Sequence, residues 1–327
     1  MTPSPAAPDV SVIIPTWKAA AFVGKAVASA LASTGLVLEV VIIDDASPDN
    51  TFEVIQRLAV TDTRVKVDRL AVNSGPSVAR NRAIALSTGR YIAVLDADDT
   101  ITPDRLARLA QIADQNGSDI VVDNMIEVDD EGRRISTQPF LRSPAFAEAR
   151  TIDLATWVDF NLPMKPGDCL GYLKPLLRRA TLARLGLGYD PALRNSEDYY
   201  FVADLLAAGV RMHYAPDAGY NYQRSMTSTS YRLSPAHTQA WLDAEAAFRK
   251  RHTEILRPQD LSALERRGRV LREVHQLVSA LDLVKARRFG SVAGLLASDP
   301  ATAAFTVTSF ARIAVGKVTG RKAFQRD

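Results

Sequence analysis

Residues 91–100, YIAVLDADDT, run from five mostly apolar positions into three carboxylates, Asp96, Asp98 and Asp99, with Pro103 just beyond. An unbroken apolar run of this kind predicts a strand buried on both faces. Carboxylates this close raise one another's pKa unless positive charge sits among them, and oxygen ligands at short spacing suit a hard divalent cation. A metal holding a diphosphate is one such neutraliser. A second reading stays open at this point: Asp99 or Thr100 capping a helix that Pro103 and Asp104 begin.

The flanking segments repeat the pattern. Apolar, β-branched runs at 10–14 (VSVII, closed by Pro15), 39–43 (EVVII, ending at Asp44-Asp45) and 120–122 (ending at Asp123-Asn124), with a further segment at 65–70, predict four more strands. Helical spacing separates them. Phe22, Val23, Ala26, Val27, Ala30 and Leu31 follow the first strand, a helix through Leu58 follows the second, and a third carries Arg80 and Arg82 after the turn Asn73-Ser74-Gly75-Pro76. This alternation predicts an α/β domain whose sheet is mainly parallel and flanked by helices. Carboxylates or hydroxyls recur at the ends of strands one, two, four and five, where open α/β sheets bind ligands, and that recurrence weighs against simple capping. The first strand–helix junction, Thr16-Trp17-Lys18, lacks the glycines of a dinucleotide fold or a phosphate loop.

Further along, 129–132 (DDEG) reads as a hairpin turn between strands at 125–128 and 134–135. Residues 180–187 and a stretch opening at Asn195-Ser196-Glu197-Asp198 and capped by Gly209 read as helices. Two short strands are expected at 210–214 and 220–224, followed by a polar segment at 225–230.

The 327 residues, 47% hydrophobic, suffice for a sizeable core. One cysteine, Cys169, suits a reducing compartment, and four scattered histidines do not suggest a zinc site. No apolar stretch reaches membrane-spanning length and the N-terminus has no export signal, so a cytoplasmic location is expected. The net charge of +3 is uneven: residues 249–327 hold 16 Lys/Arg against 7 Asp/Glu, a local +9.

Taken together, VSVIIPTW, VVIIDDAS, NSGPSVARNRAI, YIAVLDADD and SEDYYF, in this order, resemble the family-2 glycosyltransferases of the GT-A fold. GYLKPLLRR followed by YDPALRNSEDYYF is most similar to the succinoglycan-type exopolysaccharide glucosyltransferases. The resemblance spans about residues 9–235. It implies a disordered N-terminus at 1–8, a GT-A domain at 9–235 and a basic helical C-terminal extension at 236–327.

The resemblance also implies roles. Pro15, Thr16 and Asp45 would hold the base of a uridine nucleotide, Arg80 the base and diphosphate, Asp96 the ribose, and Asp98, beside Asp96, a Mg2+ or Mn2+ ion bridging the phosphates. Glu197 and Asp198 match the pair that bears the catalytic base. Independently of family, a cation at Asp98 would stabilise a departing diphosphate more in the transition state than before it. Arg80, Lys174 and Arg224 are candidates for fixed positive charge, and Asp198 for the acceptor of a hydroxyl proton. One base without a protein nucleophile implies inversion. Plainer readings stand beside these: Arg80 as a surface ion-pair partner, Glu197-Asp198 as an acidic first helical turn, and Tyr199, Tyr200, Phe201 and His213 as core.

The expected reaction is therefore transfer of a sugar, glucose by resemblance, from UDP to a saccharide hydroxyl on a lipid-linked acceptor such as an undecaprenyl diphosphate. Two alternatives stand beside it, a catalytically silent nucleotide-sugar-binding or assembly subunit and a nucleotidyltransferase. Residues 261–289 predict an amphipathic helix flanked by arginines. It is either packed with its basic side solvated or, with Thr306 to Val318, Arg312, Lys317, Arg321 and Lys322, a peripheral contact with an anionic membrane. With little aromatic interleaving, the basic tail gives no expectation of nucleic-acid binding.

Overall fold

A computed structural model describes residues 7–165, 167–224 and 233–319. Residues 1–6, the polar segment 225–230, Arg321 and Lys322 lie outside the described residues, as does the side chain of Lys317. The chain divides into two compact units, Met1–Asp153 with Tyr172–Thr227, and Leu154–Gly171 with Ser228–Asp327. Leu154–Gly171, which reads in sequence as part of the first domain, thus belongs with the C-terminal helices.

The first unit opens with β1 (Val10–Thr16), α1 (Val23–Leu31), β2 (Leu38–Asp44), α2 (Thr51–Thr61), β3 (Val65–Arg69), α3 (Pro76–Leu86) and β4 (Tyr91–Val94). Val12, Ile13, Ile14 and Val40–Ile43 are fully buried, as expected for strands covered on both faces. β1 pairs in parallel with β2 from Val10↔Leu38 to Thr16↔Asp44, and with β4 from Val10↔Tyr91 to Ile13↔Val94. This register brings Thr16, Asp44-Asp45 and the Asp96–Asp99 turn out at the same edge.

Beyond β4 come β5 (Thr100–Ile101), α4 (Arg105–Asn116), β6 (Ile120–Val128), β7 (Arg150–Ile152), α5 (Leu154–Asp159, in the second unit), β8 (Leu176–Arg178), α6 (Arg179–Leu185), α7 (Glu197–Ala207) and β9 (Met212–Gln223). The sheet order is β3-β2-β1-β4-β8-β6-β9-β5, with β7 on β9. Pairing is parallel through β3-β2-β1-β4 and for β6-β9, while β8 is antiparallel to both β4 and β6 and β9 antiparallel to β5 and β7. The sheet is therefore mixed beyond β4. Because β8 runs backwards beside β4, the residues entering it, Lys174-Pro175, lie at the carboxyl end of β4, where the amide of Val94 donates to the carbonyl of Pro175 at 3.2 Å.

Two local expectations change. Met125–Val128 are the second half of β6, and the turn at 129–132 returns only as far as a bridge between Val128 and Arg134. The two strands expected at 210–214 and 220–224 are one, β9. The register against β6 slips between Asp123↔Ala215 and Asn124↔Ala218, so the irregularity absorbs Pro216, which has no N–H to give to a ladder.

The second unit holds α8 (Pro235–His252), α9 (Pro258–Lys285), α10 (Phe289–Ser298) and α11 (Pro300–Thr319). Trp241, Leu271 and Val274 form its core with Met164, Leu233, Leu242, Val270 and Val278 packed around them. Leu264 and Leu277 of α9 are also fully buried. The apolar stripe of the long helix is thus spent on packing. No helix among the described residues is long and apolar enough to cross a membrane.

Candidate active site

The sheet edge carries the sequence-predicted acids, and three of them converge on two cations. Arg80 sits one turn inside α3, which Pro76 starts at its first helical position. Only 4% exposed, Arg80 places Nη1 at 2.7 Å from Glu197 and 3.5 Å from Asp198, and Nη2 at 3.1 Å from Asp96. The face of Tyr189 lies 5.2 Å from its guanidinium carbon. A surface ion pair is thereby excluded for Arg80; Arg82, two residues on, makes that kind of contact with Asp68.

Lys174, delivered by the antiparallel β8, lies 2.8 Å from Asp96 and 3.2 Å from Asp198. Burial works against its charge, but Asp198 and Asp96 hold its pKa well above the ordinary lysine value. The same exchange acts on Asp96: burial would raise it, yet Lys174 and Arg80 pull it far below the usual carboxylate range.

Asp98 has the opposite character. It is exposed and makes no ion pair among the described residues, and burial of its surroundings together with the charge of Asp96 pushes its pKa up. Asp99 is buried, accepting from the Tyr220 hydroxyl and from the amide of Gln223, both at 2.7 Å. Burial, Asp96 and Asp98 drive its pKa well above normal. Tyr220 also accepts from the amide of Asp96 at 3.2 Å, so one phenol braces both ends of the acidic turn.

Glu197 and Asp198 open α7 just after Ser196, which holds a left-handed φ of 65°. Tyr199, Tyr200 and Phe201 turn into the core, as expected, and the two acids face the cluster. Burial and Asp198 raise the Glu197 pKa, with Arg80 pulling it back. The two acids form the first turn of α7 and also pair with Arg80 and Lys174.

Asp45 has a mixed outcome. Its Oδ1 accepts from the amide of Ser74 at 2.6 Å, and its Oδ2 from the amide of Gly75 and the side chain of Asn73, both at 2.8 Å. It thus fastens the loop leading into α3 and keeps few lone pairs for a ligand. Gly75 there takes a φ of 91°, which side chains rarely adopt. Thr16 is buried with its hydroxyl donating to the carbonyl of Ile43 at 3.2 Å, Pro15 is paired beside Ile43, and Trp17 emerges 48% exposed.

Arg224 does not join the cations. Its Nε is 3.6 Å from Glu127, and no contact of its side chain with the acidic cluster occurs among the described residues. Asp123, read in sequence as another strand-end acid, lies inside β6 and accepts from Arg105 at 2.9 Å and Arg108 at 3.0 Å. Arg105 in turn donates to the carbonyl of Lys174 at 2.6 Å and lies over the Tyr220 ring at 5.1 Å. This buried pair supports two residues of the site. Tyr220 and Arg105 have no signal in the sequence as contributors, because Tyr220 meets Asp99 across 121 residues and Arg105 reaches the site through the carbonyl of Lys174 on the approach to the antiparallel β8.

Three carboxylates, Asp96, Glu197 and Asp198, share Arg80 and Lys174, and Asp98 and Asp99 add to the negative charge beside Asp96, so the cluster favours further positive charge. No group of three or more protein ligands for a metal exists among the described residues. The acids fit a Mg2+-like ion all the same, because such ions are commonly held by one or two carboxylates with substrate phosphates and water completing the shell. Asp98, exposed and without a cation of its own among the described residues, could take such a role.

The sequence pattern described as glycosyl transferase family 2 matches residues 11–180. Succinoglycan biosynthesis protein ExoO of Rhizobium meliloti is 34% identical over 293 residues, covering 90% of this chain and 82% of the relative. ExoU of the same organism is 36% identical over 302 residues, covering 90% and 84%. The fold is similar to that of S. aureus TarS 1–349 in complex with UDP-GlcNAc, with a TM-score of 0.60 at 20% identity over 89% of this chain and 91% of that one. It is also similar to mannosyltransferase PcManGT from Pyrobaculum calidifontis in complex with GDP-Man and Mn2+, with a TM-score of 0.55 at 18% identity over 95% and 81%.

Proposed function

The chain belongs to glycosyl transferase family 2, and from that premise we propose that it is an inverting, divalent-cation-dependent hexosyltransferase of exopolysaccharide assembly. In this reading it moves a sugar, glucose being the first to test, from UDP to a hydroxyl of a saccharide carried on a lipid diphosphate. The single observation that supports it best is the sharing of Arg80 and Lys174 between Asp96 on the donor side and Asp198 on the acceptor side. Two acids a hundred residues apart in sequence are thereby held within one ion-pair network.

In the proposed reaction the nucleotide base lies at the ends of β1 and β2, with Pro15, Thr16 and Asp45, and the ribose at Asp96. Asp98, with Asp96 beside it, would hold a Mg2+ or Mn2+ ion, which when bound supplies charge to neutralise the leaving diphosphate. Arg80 and Lys174 add fixed positive charge that needs no reorganisation as the glycosidic bond breaks. Asp198 accepts the proton of the attacking hydroxyl, and the oxygen so released bonds to the anomeric carbon as the UDP oxygen leaves. Glu197, gripped by Arg80, orients the turn that carries Asp198. With no covalent intermediate required, an α-linked donor yields a β-linked product.

Asp198→Asn tests the assignment directly. Transfer should be abolished while UDP binding stays near wild type, and transfer at the wild-type rate would overturn it. Measuring UDP release with a panel of UDP-sugars, with and without divalent ions, defines the donor.

A further inference from the structure

The ten residues of α10, FGSVAGLLAS, carry no charge and none of them is buried. Phe289, at its start, is 65% exposed. Immediately before it stand Lys285, Arg287 and Arg288, all exposed and none ion-paired among the described residues. From residue 274 to 298 the only acid is Asp282, so the segment has a net charge of +2.

The junction that presents these side chains is closed by local hydrogen bonds. The amide of Ala286 donates to the carbonyl of Asp282 at 3.0 Å, that of Arg287 to Val284 at 3.0 Å and that of Arg288 to Leu283 at 2.9 Å. Arg287 occupies the left-handed position of this helix end with a φ of 56°. Glycine is the residue that adopts this conformation without cost, so an arginine here places a charge at the expense of backbone comfort. At the other end of α10, the side-chain amide of Gln276 donates to the carbonyl of Asp299 at 3.0 Å and accepts from the hydroxyl of Thr306 at 2.8 Å, so the corner between α10 and α11 is tied to α9.

We propose that the α9–α10 corner, with Phe289 flanked by Lys285, Arg287 and Arg288, is the surface by which the protein docks on an anionic lipid bilayer. An exposed aromatic beside unpaired cations on an uncharged helix suits the interfacial region, where the ring enters the headgroup boundary and the cations meet lipid phosphates. Charge selects this occupant over two others. A second copy of the chain meeting this face would set like charges together, and the C-terminal residues 320–327, GRKAFQRD, carry three cations and one acid, the same sign as the corner. The inference rests on the proposed lipid-borne acceptor for its purpose, and locates the surface that would meet the bilayer. It also moves the contact from the apolar stripe of α9, which is core, to the helix that follows.

Flotation of the full chain with phosphatidylcholine vesicles, with and without phosphatidylglycerol, tests it. The protein should float with the anionic vesicles in low salt and be released by high salt. Each cation near the surface contributes about fivefold, so Arg287→Gly with Arg288→Gln should weaken binding about twenty-fivefold. Arg287→Gly relieves the backbone, so its thermal stability should be equal or higher, which separates docking from folding; Phe289→Ser should also weaken binding. Failure of the wild type to float, or a triple variant combining Arg287→Gly, Arg288→Gln and Phe289→Ser that floats like it, would overturn the proposal. So would concentration-dependent dimerisation lost in the triple variant, which marks a self-association face. Transfer to a water-soluble acceptor reads the proposed function separately: flotation without transfer refutes that reading alone, and transfer without flotation refutes the docking surface alone.

Discussion

Replacing Arg80 by lysine keeps one positive charge but removes the planar fork that reaches three carboxylates. Asp96 and Asp198 retain Lys174, at 2.8 and 3.2 Å. Glu197 meets no cation but Arg80 among the described residues, at 2.7 Å, and is largely buried. A charge-assisted hydrogen bond of this kind contributes about 1.5–3 kcal/mol, so Arg80→Lys should destabilise the contacts between α3 and α7 by about 2 kcal/mol near neutral pH. That corresponds to about thirtyfold faster hydrogen exchange in those two helices. The loss should depend on pH in a definite direction. With the charge-assisted hydrogen bond from Arg80 gone, less opposes burial and Asp198, and the Glu197 pKa rises further above its ordinary value of 4.5. A carboxyl whose folded pKa is raised is comfortable when protonated, so the penalty is absent below 4.5 and grows as pH rises through the folded value. Hydrogen exchange by mass spectrometry, corrected for intrinsic rates and run near neutral pH and again below 4.5, reads both parts. A change under about threefold at neutral pH, or an equal change at both pH values, would refute the view that Arg80 is the countercharge of Glu197.

Glu39, 4% exposed, accepts from Ser11, Thr88 and Lys66, which together outweigh burial and lower its pKa to about 2. Its contribution is present above its unfolded value of 4.5 and lost as pH falls through 2; it amounts to about 2 kcal/mol once screening at the half-exposed Lys66 is allowed for. Acid unfolding should show this step in the wild type and a flatter profile in Glu39→Gln. Gly219→Ala should cost about 1–3 kcal/mol in urea unfolding, because a Cβ there would lie 2.7 Å from Arg108 and 2.9 Å from both Arg105 and Asp123. It should also slow transfer through the displaced Lys174 and Tyr220. Asp98→Asn should act in opposite senses, raising thermal stability slightly at neutral pH by removing a carboxylate whose ionised form is disfavoured, and lowering the response of transfer to added Mg2+ or Mn2+ by at least about tenfold. An unchanged metal response would remove Asp98 from the metal site.

The parallel half of the sheet was readable because β1, β2 and β4 are largely continuous apolar runs, and β1, β2 and β3 pair in the order in which they follow in the chain. VSVII, EVVII and YIAV announce burial on both faces, and the hydroxyl of Thr16 and the acids after the other two announce the edge at which they emerge. The helix carrying Arg80 was equally plain from Gly75-Pro76 and the spacing that follows. The amphipathic pattern at 261–289 was legible as a helix that either packs or meets a membrane; α9 packs, and the uncharged α10, for which the sequence raised no expectation, is the exposed one. Periodicity reports that a face is apolar, not which neighbour covers it.

β8 is three residues long and β9 is irregular, and neither leaves a pattern that pairing rules can use. Their placement depends on closing loops of a hundred residues, a choice made by the core as a whole. On that choice rest the arrival of Lys174 beside Asp96, the bracing of the acidic turn by Tyr220, and the diversion of Arg224 to Glu127. The chain's own chemistry specified which acids lie at the sheet edge, since a strand's direction and the residues at its end are local properties. Which cations answer those acids was settled by long-range packing, because charges are strongly coupled only when folding brings them within a few ångströms in a place that excludes water.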